Sequence, residues 1–242
     1  MNYKYTSLSK IGFKRSTNED SIGVFELPDG LLIIVCDGLG GNNAGEVASS
    51  LSVETIHSNF ISLDGWNYLE KIKYSILKAN KLLTEKSSIN SKLSGMATTV
   101  EVLFLKDSTA YWGHVGDSRI YFSKNGRLQQ ITKDHSLVQK LVDEGYLSLK
   151  EAENHPNRNV IMRALGDNGN VEIDLSKQSF FPYDDVKFFV CTDGVTCVMS
   201  NDEIQNLLNE KSLSLSSELF NKVIEERGAP DNFSYVIIEV SA

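Results

Sequence analysis

The chain has 242 residues, 41% hydrophobic and 23% charged, the balance of an ordinary soluble globular protein. Its net charge of −8, from 24 basic and 32 acidic residues, leaves no basic surplus to neutralise phosphates and argues against nucleic acid as the main partner. The opening MNYKYTSLSK has no apolar signal-peptide core, and no run nears the ~20 apolar residues that span a bilayer, so a cytoplasmic protein without membrane contact is expected. Cys36, Cys191 and Cys197 form no metal spacing and read as reduced core thiols.

In chain order, 3–11, 21–26 and 31–36 read as an opening group of strands. The last, Leu31 to Cys36, has the length and β-branched content of a buried strand and stops at Asp37-Gly38. Residues 47–60 and 69–84 follow as helices. The second carries Leu69, Ile72, Ile76, Ala79 and Leu83 on one face. Strands resume at 96–105, 109–114, 119–122 and 128–131, joined by connections short enough for antiparallel hairpins. Residues 136–144 form a short helix ended by Gly145, and Ser148 with Glu151 spells a capping box. Strands are expected at 171–175, 178–181 and 186–191. Ser200 with Glu203 caps another helix, 216–227 is a helix ended by Gly228, and 233–240 closes the chain as a strand. No repeat or long linker divides the chain. Grouped strands with helices gathered in pairs predict one α+β domain over 1–242, with mainly antiparallel sheets face to face and helices outside.

The acids recur at one kind of place. Asp37 follows LLIIVC, Asp193 follows VKFFVCT, Asp117 follows the strand ending WGHVG, and Asp231 stands just before the last strand. Glu19 and Asp20 precede the second strand. Each acid alone reads as readily as a turn former. Together they predict a carboxylate-rich pocket at one edge of the sheets. Oxygen ligands of this kind suit Mg2+ and Mn2+. Two such ions ~4 Å apart can share a carboxylate and lower the pKa of a bridging water, a chemistry suited to attack on phosphorus. Arg15 is the candidate cation for the phosphate's other oxygens.

Seven ordered motifs resemble the metal-dependent PP2C (PPM) protein Ser/Thr phosphatases, the bacterial branch above all. They are Arg15-Ser16-Thr17-Asn18-Glu19-Asp20, Asp37-Gly38-Leu39-Gly40-Gly41, Gly116-Asp117-Ser118-Arg119, Thr132-Lys133-Asp134-His135-Ser136, Ala164-Leu165-Gly166, Thr192-Asp193-Gly194 and Asp231-Asn232. The resemblance runs from about residue 10 to the end. It implies a four-layer αββα sandwich, two antiparallel sheets flanked by paired helices, and hydrolysis of phosphoserine and phosphothreonine on proteins. It further implies that Asp37 bridges two Mn2+ or Mg2+ ions, with the Gly38 carbonyl on one. Asp193 and Asp231 then complete the other ion's shell, Glu19 and Asp20 orient waters, and Asp117 helps hold a third, weaker ion. Arg15 matches the phosphate-binding arginine, Asn232 supports the Asp231 loop, and 134–165 matches a flap beside the site. A monomer opposing a eukaryotic-type Ser/Thr kinase is the implied setting.

Three positions depart from the family pattern. Leu39 stands where animal members carry a histidine proposed as general acid, which leaves protonation of the leaving group to water. Asn42 replaces a histidine frequent in bacterial relatives, and the usual Gly-Thr-Thr reads Ala97-Thr98-Thr99. His57, His114, His135 and His155 are assigned no metal role, because oxygen-only sites are the better match to Mg2+ and Mn2+. Two other readings remain open at this point: a phosphatase dedicated to one phosphorylated regulator, and a non-catalytic binding module on the same fold.

Overall fold

A computed structural model describes residues 1–40, 44–167, 170–181 and 183–241, so Gly41 of the second motif and Asn42 after it lie outside the described residues. Eleven strands among these residues form two antiparallel sheets. The first has the order β1 (Asn2–Lys10), β11 (Phe233–Ser241), β10 (Val186–Cys191), β7 (Arg119–Lys124), β8 (Arg127–Gln130). The second runs β2 (Asp20–Leu27), β3 (Gly30–Leu39), β5 (Val100–Lys106), β6 (Thr109–Val115), β9 (Asp174–Ser179), with the two-residue β4 (Ala97–Thr98) also paired to β3.

The central strands are mostly apolar because both of their faces are covered. Successive side chains point to opposite sides of a sheet. Thus Leu31, Ile33 and Val35 of β3 enter a core between the sheets with Val186, Phe188 and Val190 of β10 and Val236 and Ile238 of β11. Leu32, Ile34 and Cys36 instead meet the outer helices α1 (Ala44–Ser62) and α2 (Tyr68–Ile89), whose Ala48, Ile56, Phe60, Ile72, Ile76 and Leu83 recur at helical spacing. On the other side, Phe189, Tyr235 and Ile237 meet α6 (Asn201–Leu208) and α7 (Leu213–Glu226) through Ile204, Phe220 and Ile224. The expected four layers are present: helices, sheet, sheet, helices.

Four local expectations need correction. β3 does not stop at Cys36. Its last residues, Gly38 and Leu39, pair with Thr98 and Ala97 of β4, so the strand continues through Asp37. The expected strand 96–105 divides into β4 and β5 where Thr99 turns to hold the Asp37 backbone. The strands expected at 171–175 and 178–181 are one strand, β9, because six residues of β6 pair with it without interruption. Asp193 opens a short helix, α5 (Asp193–Thr196), where the sequence suggested only a loop. Between β8 and β9, α3 (Leu137–Asp143) and α4 (Leu149–Glu153) stand on the outside and contribute no buried residue. The expected Ser148–Glu151 box is formed, and Ser136, expected inside the first helix, instead caps it.

Candidate active site

Alternation along β3 decides where Asp37 lies. It continues the Leu31, Ile33, Val35 series, so it belongs to the face between the sheets, at the end of the sandwich. Asp20 is its register partner on β2. From the opposite sheet, the Thr192 hydroxyl donates to Asp20 Oδ2 at 2.9 Å and accepts from the Ser234 N–H at 3.0 Å. Asp193 follows Thr192, and Asp231 precedes β11 by two residues. Asp117 sits in the short crossing from β6 in one sheet to β7 in the other. Both sheets therefore deliver acids to the same end.

Close backbone approach makes this possible. Gly38 is extended, so its role is space: a Cβ there would lie 2.3 Å from the Gly45 carbonyl oxygen and 2.4 Å from that of Glu19. The first turn of α1, opened by Ala44 and Gly45, thereby rests on the end of β3. At Gly194, a Cβ would lie 1.8 Å from the Asn232 carbonyl oxygen, which brings α5 against the β11 loop. Thr98 and Thr99 clamp Asp37 from the side. The Thr98 hydroxyl donates to the Asp37 carbonyl at 2.8 Å, and Thr99 Oγ1 accepts from the Asp37 N–H at 3.0 Å while bonding Ser118 Oγ at 2.8 Å.

Cations are scarce in this setting. Arg15 Nη2 donates to Asp231 Oδ2 at 2.6 Å, at the exposed rim. Arg119 is engaged by Asp134 through Nε at 2.9 Å and Nη2 at 2.6 Å. Burial, together with the charges of Asp20, Asp193 and Asp117, pushes the Asp37 carboxyl far above the usual carboxylate range. Burial raises Asp20 to about 7 against the pull of the Ser234 and Thr192 hydroxyls, with Asp193 and Asp231 adding repulsion. Burial and then Asp193 and Asp134 raise Asp117 to about 8. Asp193 is raised by burial and by the charge of Asp231. Glu19 is raised by burial, with Arg15 opposing.

The donor set fits a hard divalent cation. Every candidate group presents oxygen, and Asp20 Oδ1 and Asp117 Oδ1 are buried without a hydrogen-bond partner. The acids ring the end of the sandwich and do not converge on one point. Among the described residues, no three His, Cys, Asp or Glu side chains are arranged about a single centre.

All of the sequence-predicted residues, Arg15, Glu19, Asp20, Asp37, Gly38, Asp117, Asp193 and Asp231, lie at this end. Two supporting residues were not legible as such, and a third reaches further than expected. Thr192 holds Asp20, Thr99 holds Asp37, and Asn232 has a wider reach than its own loop. Asn232 Oδ1 accepts from the Gly12 N–H at 3.2 Å and its Nδ2 donates to the Thr17 carbonyl at 3.0 Å, bracketing the segment that carries Arg15. Thr192 and Asn232 stand next to an acid in sequence and Thr99 does not, and a neutral side chain in sequence does not say what it faces. A cleft of about 630 Å³ leads outward from Asp117 and Asp193, between Gln139, Leu149 and Arg158 on one side and Cys197, Met199 and Asp202 on the other.

Comparison with known proteins gives a consistent result. The family model for protein phosphatase 2C matches residues 14–232. The serine/threonine phosphatase stp of Listeria welshimeri is 35% identical over 231 residues, covering 93% of this chain and 91% of that protein. The crystal structure of the Mycobacterium tuberculosis serine/threonine phosphatase PstP/Ppp superposes with a TM-score of 0.90 at 32% identity, covering 99% of each chain. A structure of the PstP catalytic domain in complex with two manganese ions has a TM-score of 0.87 at 30% identity, again covering 99% of each chain.

Proposed function

The chain belongs to the protein phosphatase 2C family and is a metal-dependent protein serine/threonine phosphatase of the bacterial type, and from that premise we propose which residues carry the reaction. Asp37 and the Gly38 carbonyl, with Asp193 and Asp231, are the groups that would hold two divalent ions, Mn2+ or Mg2+. Asp117 would help hold a third. When bound, such ions supply an activated water at neutral pH and neutralise charge on the phosphoryl oxygens.

The residues of the chain do the rest. Asp20, fixed by Thr192, and Glu19, lying against Gly45, orient water at the rim of the cluster. Arg15 is the phosphate clamp: its guanidinium already sits on Asp231, and a planar fork of donors matches a phosphate's paired oxygens. Thr98 and Thr99 keep the Asp37 backbone from moving as charge develops. Leu39 presents no proton donor, so the leaving serine or threonine oxygen takes its proton from water.

One observation carries this reading: five aspartates from both sheets meet at one end of the sandwich, two of them with buried, unpartnered oxygens. The open cleft beside Asp117 and Asp193 suits a phosphorylated segment of a protein better than a small enclosed substrate. Segment 134–165 forms one wall and acts as a flap that affects substrate choice. In the cell the enzyme opposes a eukaryotic-type Ser/Thr kinase as a cytoplasmic monomer, in keeping with the lack of any membrane-spanning helix among the described residues. Hydrolysis of p-nitrophenyl phosphate should require Mn2+ or Mg2+ and stop on addition of EDTA. Turnover that EDTA leaves intact would rule the metal reading out.

A further inference from the structure

His135 takes both backbone polar groups of Gly116. Its N–H donates to the Gly116 carbonyl at 2.7 Å, and its side-chain Nδ1 accepts from the Gly116 N–H at 3.1 Å. Gly116 has φ +119°, a conformation reserved for glycine, and a Cβ there would lie 2.6 Å from the Thr99 side chain. This residue sets the direction in which the chain leaves β6, and the next residue is Asp117.

The same histidine closes the base of segment 134–165. Its carbonyl accepts from the Met162 N–H at 2.7 Å, Ser136 bridges Ile161, and the Leu137 N–H donates to the Val160 carbonyl at 2.9 Å. The ring is oriented from behind. Nε2 lies 3.2 Å from Asp174 Oδ2 on β9, and the Arg163 guanidinium lies beside both. Two donors face the ring, the Gly116 N–H at Nδ1 and Arg163 Nη1 at 3.2 Å from Nε2, while the Asp174 carboxylate accepts. The tautomer that serves both Gly116 and Asp174 leaves Nδ1 bare and carries the proton on Nε2, with Arg163 paired to Asp174 rather than to the ring. The His114 ring lies against that of His135, tilted by 36° with centroids 4.4 Å apart. It is wholly buried, bonded to the wholly buried Glu101, and its Nε2 donates to the Lys133 carbonyl at 2.8 Å, which fixes the chain two residues before His135.

We propose that His135 is a positioning residue: through Nδ1 it locks the Gly116 turn and so holds Asp117 in register with the base of segment 134–165. This rests on the reading of Asp117 as an acid that holds the weaker, third ion. Movement of the segment and retention of that ion are then linked through one imidazole.

Asparagine can place an acceptor where Nδ1 stands, whereas glutamine reaches only the Nε2 position. Mn2+ binding to the intact protein, followed by isothermal titration calorimetry, should show the weakest ion bound about tenfold less tightly in His135→Gln, the scale of a lost outer-shell partner. His135→Asn should stay within about twofold of wild type. Equal weakening in both variants, or none in the glutamine variant, overturns the proposal. If Asp117→Asn leaves the weakest ion unchanged, the assignment of Asp117 fails and the inference falls with it. If Asp117→Asn loses that ion while His135→Gln keeps it, the inference alone fails. Long-range 15N–1H correlation on the wild-type protein gives a second reading that needs no variant to fold. It should show His135 neutral with the proton on Nε2, and a proton on Nδ1 would overturn the proposal.

Discussion

Asp20 on β2 and Asp37 on β3 are register partners across an antiparallel ladder, so two carboxylates stand side by side on the face between the sheets. Like charges directly opposite one another destabilise a ladder. Here the neighbouring acids Asp193, Asp231 and Asp117 raise the repulsion further. Divalent cations bound among these carboxylates would relieve that repulsion, so the arrangement fits a binding site better than a structural pair.

Asp37→Asn and Asp193→Asn each remove one anionic oxygen from the centre of this group. Each is expected to lower Mn2+-dependent turnover by more than ~100-fold, since loss of an outer-shell partner alone costs about 10–100-fold. Turnover measured alongside metal content checks this. A variant with native rates and native metal content would remove that residue from the ligand set.

Thr192→Val keeps the shape of the side chain and deletes the hydroxyl that serves both Asp20 Oδ2 and the Ser234 N–H. Leaving two buried groups unsatisfied should cost about 1–3 kcal/mol each at most. Thermal unfolding should show the loss, and the Mn2+ concentration for half-maximal activity should rise. An unchanged melting temperature and unchanged Mn2+ requirement would show that Asp20 needs no such anchor.

Gly38→Ala tests close approach directly. Its Cβ would fall 2.3 Å from the Gly45 carbonyl oxygen, a backbone atom that cannot swing away. Helix α1 must shift from β3, with a loss of stability of about 1–3 kcal/mol and a larger loss of activity. Chemical denaturation and turnover on the same preparation separate the two effects.

The metal-free protein should lose stability as pH rises. The Asp20 carboxyl is raised to about 7 and that of Asp117 to about 8, both above the range of an unfolded aspartate. The folded state therefore binds more protons than the unfolded state across the window from about pH 4 to 8, and the stability gradient with pH is negative there. Melting temperatures in EDTA should fall from pH 5 to pH 8. Added Mn2+, which takes the place of those protons, should raise the melting temperature more at pH 8 than at pH 5.

Much of this molecule was legible from its residues because burial on both faces leaves a plain signal. Leu31 to Cys36 is apolar on both alternations, Val186 to Cys191 is so but for Lys187, and Phe233 to Val240 but for Ser234 and Glu239, and each is a central strand. The caps at Ser148 and Ser200 follow from local chemistry alone. What local chemistry could not supply is pairing. Gly38-Leu39-Gly40 reads as a turn, and only the distant Ala97-Thr98 keeps Gly38 and Leu39 in a strand. Asp193 reads as a loop acid until the β11 loop packs on Gly194 and the chain winds into α5. The acids were visible because a charge after an apolar run is conspicuous. Thr192, Thr99 and His135 were not, because what they hold lies far away in sequence.

The most direct test is release of inorganic phosphate from a phosphothreonine peptide by the wild-type protein and by Asp37→Asn, in Mn2+, in EDTA, and in EDTA followed by excess Mn2+. The wild-type protein should be active, then silent, then active again, and the variant should be silent throughout. Phosphate release that persists in EDTA, or that survives in the variant, would contradict a metal-dependent phosphatase centred on Asp37.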